Sequence, residues 1–139
     1  LGCHGAAVLG SLALRNYLIN FSRAFIYTTA LPESSVKAIQ RSYELFPHMH
    51  TERAQLRKLV EEFQQSPIKF NKQQSSTPIQ AVIVPGNKEV KYVAGQLQSK
   101  QFDIRAILYP TVPINSERLR IVLHAFNTTE QVRSVTESL

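Results

Sequence analysis

The sequence is short of several things. Cys3 is the one cysteine in 139 residues. An intrachain disulfide and a cysteine zinc cluster are therefore excluded, and a reducing, cytoplasmic setting is expected. No apolar run approaches the ~18 residues of a membrane-spanning helix, so no membrane partner is expected. No block of five or more like charges occurs, and Lys and Arg are not interleaved with aromatics. The net charge of +6 permits anionic ligands such as a phosphorylated cofactor or coenzyme A. Without basic clusters, nucleic acid is not an expected partner. The first ten residues have no basic segment, and Gly2, Gly5 and Gly10 interrupt their apolar residues. They do not form a signal peptide. A Gly-rich phosphate loop is also missing, because Pro85-Gly86-Asn87-Lys88 lacks the spacing. Nor does the chain open with Met. Small residues lead straight into an apolar stretch, which suggests the middle of a domain and a piece of a longer protein.

What is present is an ordinary α/β or α+β composition, 43% hydrophobic and 19% charged, of a size for one domain. Gly5 to Leu9 reads as a short buried strand between glycines. Ser11 can cap a helix to about Phe21, with Leu14, Leu18 and Phe21 at helical spacing. Phe25 to Thr29 reads as extended, being rich in aromatic and β-branched residues. Pro32 suits the first turn of the next helix, whose apolar face is Val36, Ile39, Tyr43 and Phe46. Pro47 interrupts it. A further helix from Thr51 carries Leu56, Leu59, Val60 and Phe63, and Ser66-Pro67 stops it.

Lys69 to Pro78 reads as a polar loop and Gln80 to Val84 as a strand. Asn87 is the expected cap of a helix running to about Lys100. Phe102 to Leu108 reads as another strand. The stretch Arg118 to His124 alternates, with Leu119, Ile121 and Leu123 on one face. Arg118, Arg120, Val122 and His124 share the other. A last helix starts at Thr129. From residue 78 on the order is strand, helix, strand, strand, helix. That order fits a compact α+β layer, a small sheet with helices packed on one face.

Few residues carry chemistry by themselves. His48 and His50 could share a metal only in an extended segment, and a solvated bend between helices is the plainer reading, so no metal site is expected. Cys3 beside His4 reads as a small buried cysteine rather than a nucleophile. Arg118 and Arg120 offer planar guanidinium groups that can take a carboxylate in a two-point grip. On spacing alone, a surface arginine pair is the plainer alternative. Thr28 and Thr29, two hydroxyls ahead of a helix N-terminus, could hold a phosphate or be plain strand residues.

Taken together, four stretches resemble the α-oxoamine synthases in order and spacing. They are Gly2 to Ser11, Phe25 to Pro32, Tyr109 to Pro113, and Arg118 to Thr128. The resemblance covers essentially the whole chain. It implies an α/β protein of the aspartate aminotransferase-like fold type I, working as a homodimer with pyridoxal 5′-phosphate. Residues 1–30 would end the large cofactor-binding domain, 31–77 would be linking helices, and 78–139 the C-terminal small domain. The wording of Tyr27 to Pro32 and of His124 to Thr128 leans toward the family's biotin-biosynthesis member. That member joins L-alanine to a pimeloyl thioester, of coenzyme A or of acyl carrier protein, with loss of CO2. The alternatives are glycine C-acetyltransferase and 5-aminolevulinate synthase, and, from another class, a basic α+β module using the Arg strand for nucleic acid.

The resemblance also assigns residues. Arg120 matches the second arginine of the family's Arg-x-Arg strand, which grips the amino-acid carboxylate. Thr28 and Thr29 match a pair that reaches the cofactor phosphate of the partner subunit. Thr111 matches a threonine beside the substrate, and Arg118 an arginine of structural role. Leu108 departs from the family, where a basic residue is common, and Tyr109 stands in place of a proline. The Schiff-base lysine of the Ser/Gly-Lys-x-x-Gly motif would fall two positions before Leu1, so no catalytic residue is assigned within the chain. The expected 139-residue chain is inactive and hides Leu12, Leu14, Leu18 and Phe21 by self-association.

Overall fold

The structure, a computed structural model, describes residues 2–139. The chain forms two compact units, Leu1–Met49 and His50–Leu139.

The first unit is helical. Helix α1 (Leu12–Phe21) begins where Ser11 accepts the Leu14 N–H at 3.2 Å, the expected cap. A single turn, α2 (Arg23–Ile26), follows at once. Helix α3 (Glu33–Leu45) has Pro32 as its N-terminal cap residue, just outside the first turn. Pro47 then converts the chain into one 3-10 turn, Phe46–His48.

Two readings of this unit are corrected. Gly5 to Leu9 is not a strand, and Phe25-Ile26 belong to α2 instead of an extended run. A strand is stable only when a neighbour takes its backbone N–H and C=O groups. Among the described residues no strand of this unit offers one, and the Tyr27 N–H turns back to the Arg23 carbonyl at 3.0 Å.

The second unit is α+β. Helix α4 (His50–Gln65), strand β1 (Asn71–Gln73), strand β2 (Ile79–Ile83), helix α5 (Asn87–Ser99), strands β3 (Arg105–Ile107) and β4 (Arg118–Val122), and helix α6 (Thr129–Glu137) follow in order. The sheet is antiparallel with the order β1-β2-β4-β3. One face is closed by helices. Leu59, Val60 and Phe63 of α4, Val90, Ala94 and Leu97 of α5, and Val132 and Val135 of α6 form one core with Val82, Leu119 and Ile121. Burial of this kind contributes about 25 cal/mol per Å² of apolar surface. The other face of the sheet carries Arg105, Arg118 and Arg120 among Ala81 and the aliphatic Ile79, Ile83, Ile107 and Val122.

Three readings shift here as well. Residues 71–73, expected in a loop, form edge strand β1, with Lys72 opposite Val82. A run of Asn, Lys and Gln has low strand propensity, so tertiary contacts decide it. The Lys72 ammonium donates to the Phe63 and Gln64 carbonyls at 2.9 and 2.7 Å, and also to Ser66. A cation on those last carbonyls closes the C-terminus of α4. Burial lowers the Lys72 pKa from its ordinary value. Second, β3 is shorter than Phe102 to Leu108, because only residues 105–107 pair with β4. Third, Gly86, with φ of 97°, is the cap residue of α5 rather than Asn87. Helix α6 starts as expected at Thr129, behind a capping box of Thr128 and Gln131.

Candidate active site

The open face of the sheet carries the candidate residues. Alternation puts Leu119 and Ile121 into the core and turns Arg118 and Arg120 outward. Arg120 stands opposite Ala81 on β2 and Arg105 on β3. The small Ala81 leaves space beside it, and a cavity of about 290 Å³ opens there. Gln73, Ser75, Thr77, Arg118 and Arg120 line it among others.

The two arginines differ in what they already hold. Arg118 donates from Nε to the Ser116 carbonyl and from Nη1 to Gln73 Oε1, both at 2.9 Å. Arg120 has no hydrogen-bond or ion-pair partner among the described residues. Arg118 thus ties β4 to the edge strand β1, and Arg120 keeps its planar donors for a ligand. A free guanidinium beside hydroxyl and amide groups suits a carboxylate.

Beneath this surface lies a polar set that the sequence did not single out. Gln80 is wholly buried. Its amide donates to the Thr77 carbonyl at 2.6 Å and accepts from Gln64 Nε2. Glu117 is 2% exposed and binds the Gly86 N–H at 3.0 Å. The Gly86 N–H, and after it the N–H groups of Glu117 and Asn115, hold its carboxyl below the ordinary glutamate range. Glu117 thereby fixes the entry to β4 against the entry to α5.

Thr111 is exposed, on the turn that follows the cis Tyr109-Pro110 peptide. Asn87 positions that turn. Its side-chain amide accepts from the Tyr109 N–H at 3.0 Å and donates to the Tyr109 carbonyl at 3.3 Å. Leu108 is half-buried and packs against the core. Thr111 does not line the cavity at Arg120. Thr28 and Thr29 belong to the other unit, exposed in the bend between α2 and α3. The structure therefore brings Arg118 and Arg120 to one cavity, with Thr111 elsewhere in the same unit. The sequence marked Asn87 as a helix cap and Gln73 as part of a polar loop, and neither signal reveals a long-range hydrogen bond. Among the described residues, no three His, Cys, Asp or Glu side chains gather to hold a metal.

A small antiparallel sheet with helices on one face and a free arginine on the other defines an α+β unit. The model of the aminotransferase class I and II family matches residues 1–139, and the chain belongs to that family. It is 36% identical over 150 residues to the 8-amino-7-oxononanoate synthase of Emericella nidulans, a match to all of this chain and 36% of that protein. In three dimensions it resembles the 8-amino-7-oxononanoate synthase of Francisella tularensis, with a TM-score of 0.75 at 25% identity. That likeness covers 92% of this chain and 38% of the other. Serine palmitoyltransferase of Sphingomonas wittichii shares the fold, with a TM-score of 0.74 at 23% identity over 89% of this chain and 32% of its own. The chain spans about a third of the length of the curated relatives it matches.

Proposed function

We propose that this chain is part of a pyridoxal-phosphate-dependent acyltransferase that condenses L-alanine with a pimeloyl thioester, releasing CO2, to form 8-amino-7-oxononanoate. The observation that carries this reading is the 36% identity across the whole chain to a synthase of that name. In that reading the enzyme is a cytoplasmic homodimer serving biotin biosynthesis. Residues 1–30 close its large domain, 31–77 link, and 78–139 form the small domain.

Each candidate residue then has a task. Arg120 binds the alanine carboxylate through two parallel N–H donors, fixing orientation as well as charge. Arg118 keeps β4 in register with the edge strand through Gln73. Thr111 offers a hydroxyl beside the substrate. Thr28 and Thr29 are exposed hydroxyls ahead of the N-terminus of α3, a donor set that fits a phosphate monoester. They would hold the cofactor phosphate of the partner subunit. When bound, the cofactor supplies an electron sink for negative charge at the amino acid's α-carbon.

The test is turnover by the full-length enzyme with alanine against glycine, and with pimeloyl, acetyl and succinyl thioesters. Alanine with the pimeloyl thioester should be preferred. A preference for glycine with the acetyl or succinyl ester would replace this reading with glycine C-acetyltransferase or 5-aminolevulinate synthase. Arg120→Ala should cut kcat/KM for the amino acid by about 10–100-fold, the worth of a charge-assisted hydrogen-bonded pair. Arg120→Lys should recover only part, because an ammonium has no fork. The 139 residues contain no lysine in the Ser/Gly-Lys-x-x-Gly setting. By themselves they should leave the absorbance of free cofactor unchanged, and a new band of protein-bound cofactor would contradict that.

A further inference from the structure

Gln73 stands in one cross-strand row with the free arginine. The register sets Gln73 of β1 opposite Ala81 of β2, and Ala81 opposite Arg120 of β4. Alternation sends Lys72 onto the end of α4 and turns Gln73 onto the open face. Ala81 carries only a methyl group, so long side chains from β1 and β4 can approach each other above it. Arg105 continues the row beyond Arg120, but it pairs with Asp103 at 2.8 Å and does not line the cavity.

The position of Gln73 is fixed from below. Lys72 holds the Phe63 and Gln64 carbonyls, and Gln64 Nε2 donates to the Gln73 carbonyl at 3.2 Å. The backbone of Gln73 is thus pinned to α4 while its side chain crosses the sheet. There Gln73 Oε1 accepts from Arg118 Nη1 at 2.9 Å. This bond also decides which way the carboxamide points. A guanidinium can only donate, so the amide oxygen must face Arg118 and the amide nitrogen is left over. Gln73 Nε2 has no partner among the described residues.

Neighbouring polar groups of the cavity are already spent. The Ser75 and Thr77 hydroxyls are bonded to each other at 2.9 Å, and both reach the Ile79 carbonyl. Arg118 has committed Nε to Ser116 and Nη1 to Gln73, one donor from each paired edge of its guanidinium. The uncommitted donors of the row are therefore Arg120 and the Gln73 amide. Among the described residues no acidic side chain lines the cavity. Its volume, about 290 Å³, is at the small end of ligand sites and suits a head group rather than a whole molecule.

We infer that Gln73 is a substrate-binding residue, whose Nε2 donates to the amino-acid carboxylate that Arg120 grips. A carboxylate held at two points by a guanidinium keeps lone pairs for a further donor. Arg118 is then a positioning residue. It holds the Gln73 oxygen away from the carboxylate, where a reversed amide would set one lone pair against another. The inference rests on the reading of Arg120 above and adds a neutral donor to it.

The first experiment is steady-state kinetics of the full-length enzyme. Gln73→Leu removes the amide at similar size and should raise KM for the amino acid about tenfold, with kcat and the thioester KM unchanged. Gln73→Glu separates binding from support. It keeps an acceptor for Arg118, so a purely structural role predicts no loss. A carboxylate in place of the donor should instead raise the amino-acid KM at least as much as Gln73→Leu. An unmoved KM in Gln73→Glu, or a fall in kcat alone in either variant, overturns the assignment. Arg118→Met should raise the same KM by less, and add nothing in the Gln73→Leu background. Additive losses would make Arg118 a ligand itself and overturn its positioning role.

The second experiment does not depend on turnover. The isotope-labelled 139-residue chain is titrated with propionate, the carbon skeleton of alanine without its amine, following side-chain amide and guanidinium resonances. Saturable shifts of the Gln73 amide and of Arg120 are expected, with the Gln96 amide, bonded to Tyr92, unmoved. Shifts at Arg120 without Gln73, or none that saturate, overturn the inference. An enzyme that prefers glycine would replace the alanine reading and leave this one standing, because every α-amino acid brings the same carboxylate.

Discussion

The two units of this chain are built from similar helices and differ in what those helices have to pack on. In Leu1–Met49 not one described residue is buried, although α1 and α3 carry apolar stripes at helical spacing. Leu18 and Ile39 are only half-buried, and Phe21 is 67% exposed. In His50–Leu139 three comparable helices share one core with a sheet, and Leu59, Phe63, Val82 and Leu119 are all at 0% exposure. An amphipathic helix is half of a contact, and most of its stability comes from the other half. The second unit contains both halves. The first leaves its apolar stripes largely exposed.

Substitutions that break this contrast should differ most in the core. Phe63→Ala should destabilise the second unit by about 3–5 kcal/mol, whereas Phe21→Ala should change stability by less than about 0.5 kcal/mol. Urea unfolding followed by far-ultraviolet dichroism measures both. Equal losses would mean that α1 is packed as tightly as α4.

Acid should act next, and through the second unit. The folded Glu117 carboxyl titrates below its unfolded value, held there first by the Gly86 N–H. Its contribution is therefore present above the unfolded pKa, about 4.3, and is lost as pH falls through the lower folded value. Glu130, lowered by its own backbone N–H and by Thr128, acts in the same direction. Thermal midpoints should drop below about pH 4, and Glu117→Gln should flatten that slope. An unchanged slope in the variant would remove Glu117 from the explanation.

Smaller effects sharpen the picture at helix ends. Thr128→Ala removes the side-chain oxygen that accepts the Gln131 N–H at 3.2 Å and should cost about 1 kcal/mol. Arg133→Ala breaks an exposed pair with Glu62 at 2.9 Å between α6 and α4, and should cost at most about 0.5 kcal/mol at low salt. That loss should vanish in high salt, and a salt-independent loss would point to packing instead.

The legibility of the chain followed the same division. Helices with caps and apolar periods, α1 and α6 above all, could be read directly because their signals are local. Strand β4 was readable too, since alternation alone separates Leu119 and Ile121 from Arg118 and Arg120. Besides the Asn87 cap and the bounds of β3, the readings that failed were Gly5 to Leu9, Phe25 to Thr29, and Asn71 to Gln73. All three concern strands, whose existence depends on a neighbour distant in sequence. Of the candidate residues, the outward placement of Arg120 was legible. Its lack of any partner, against Arg118 tied to Gln73, was not.

The sequence by itself determined which positions could be helical, which face of β4 enters the core, and which residues could meet an anion. Those follow from backbone periodicity and side-chain chemistry, which operate over a few residues. Only the tertiary structure decided which arginine is free, where β3 leaves β4, and that the Gln73 amide spends its oxygen on Arg118. Those depend on hydrogen bonds between segments tens of residues apart, and no local pattern encodes which donor is already taken.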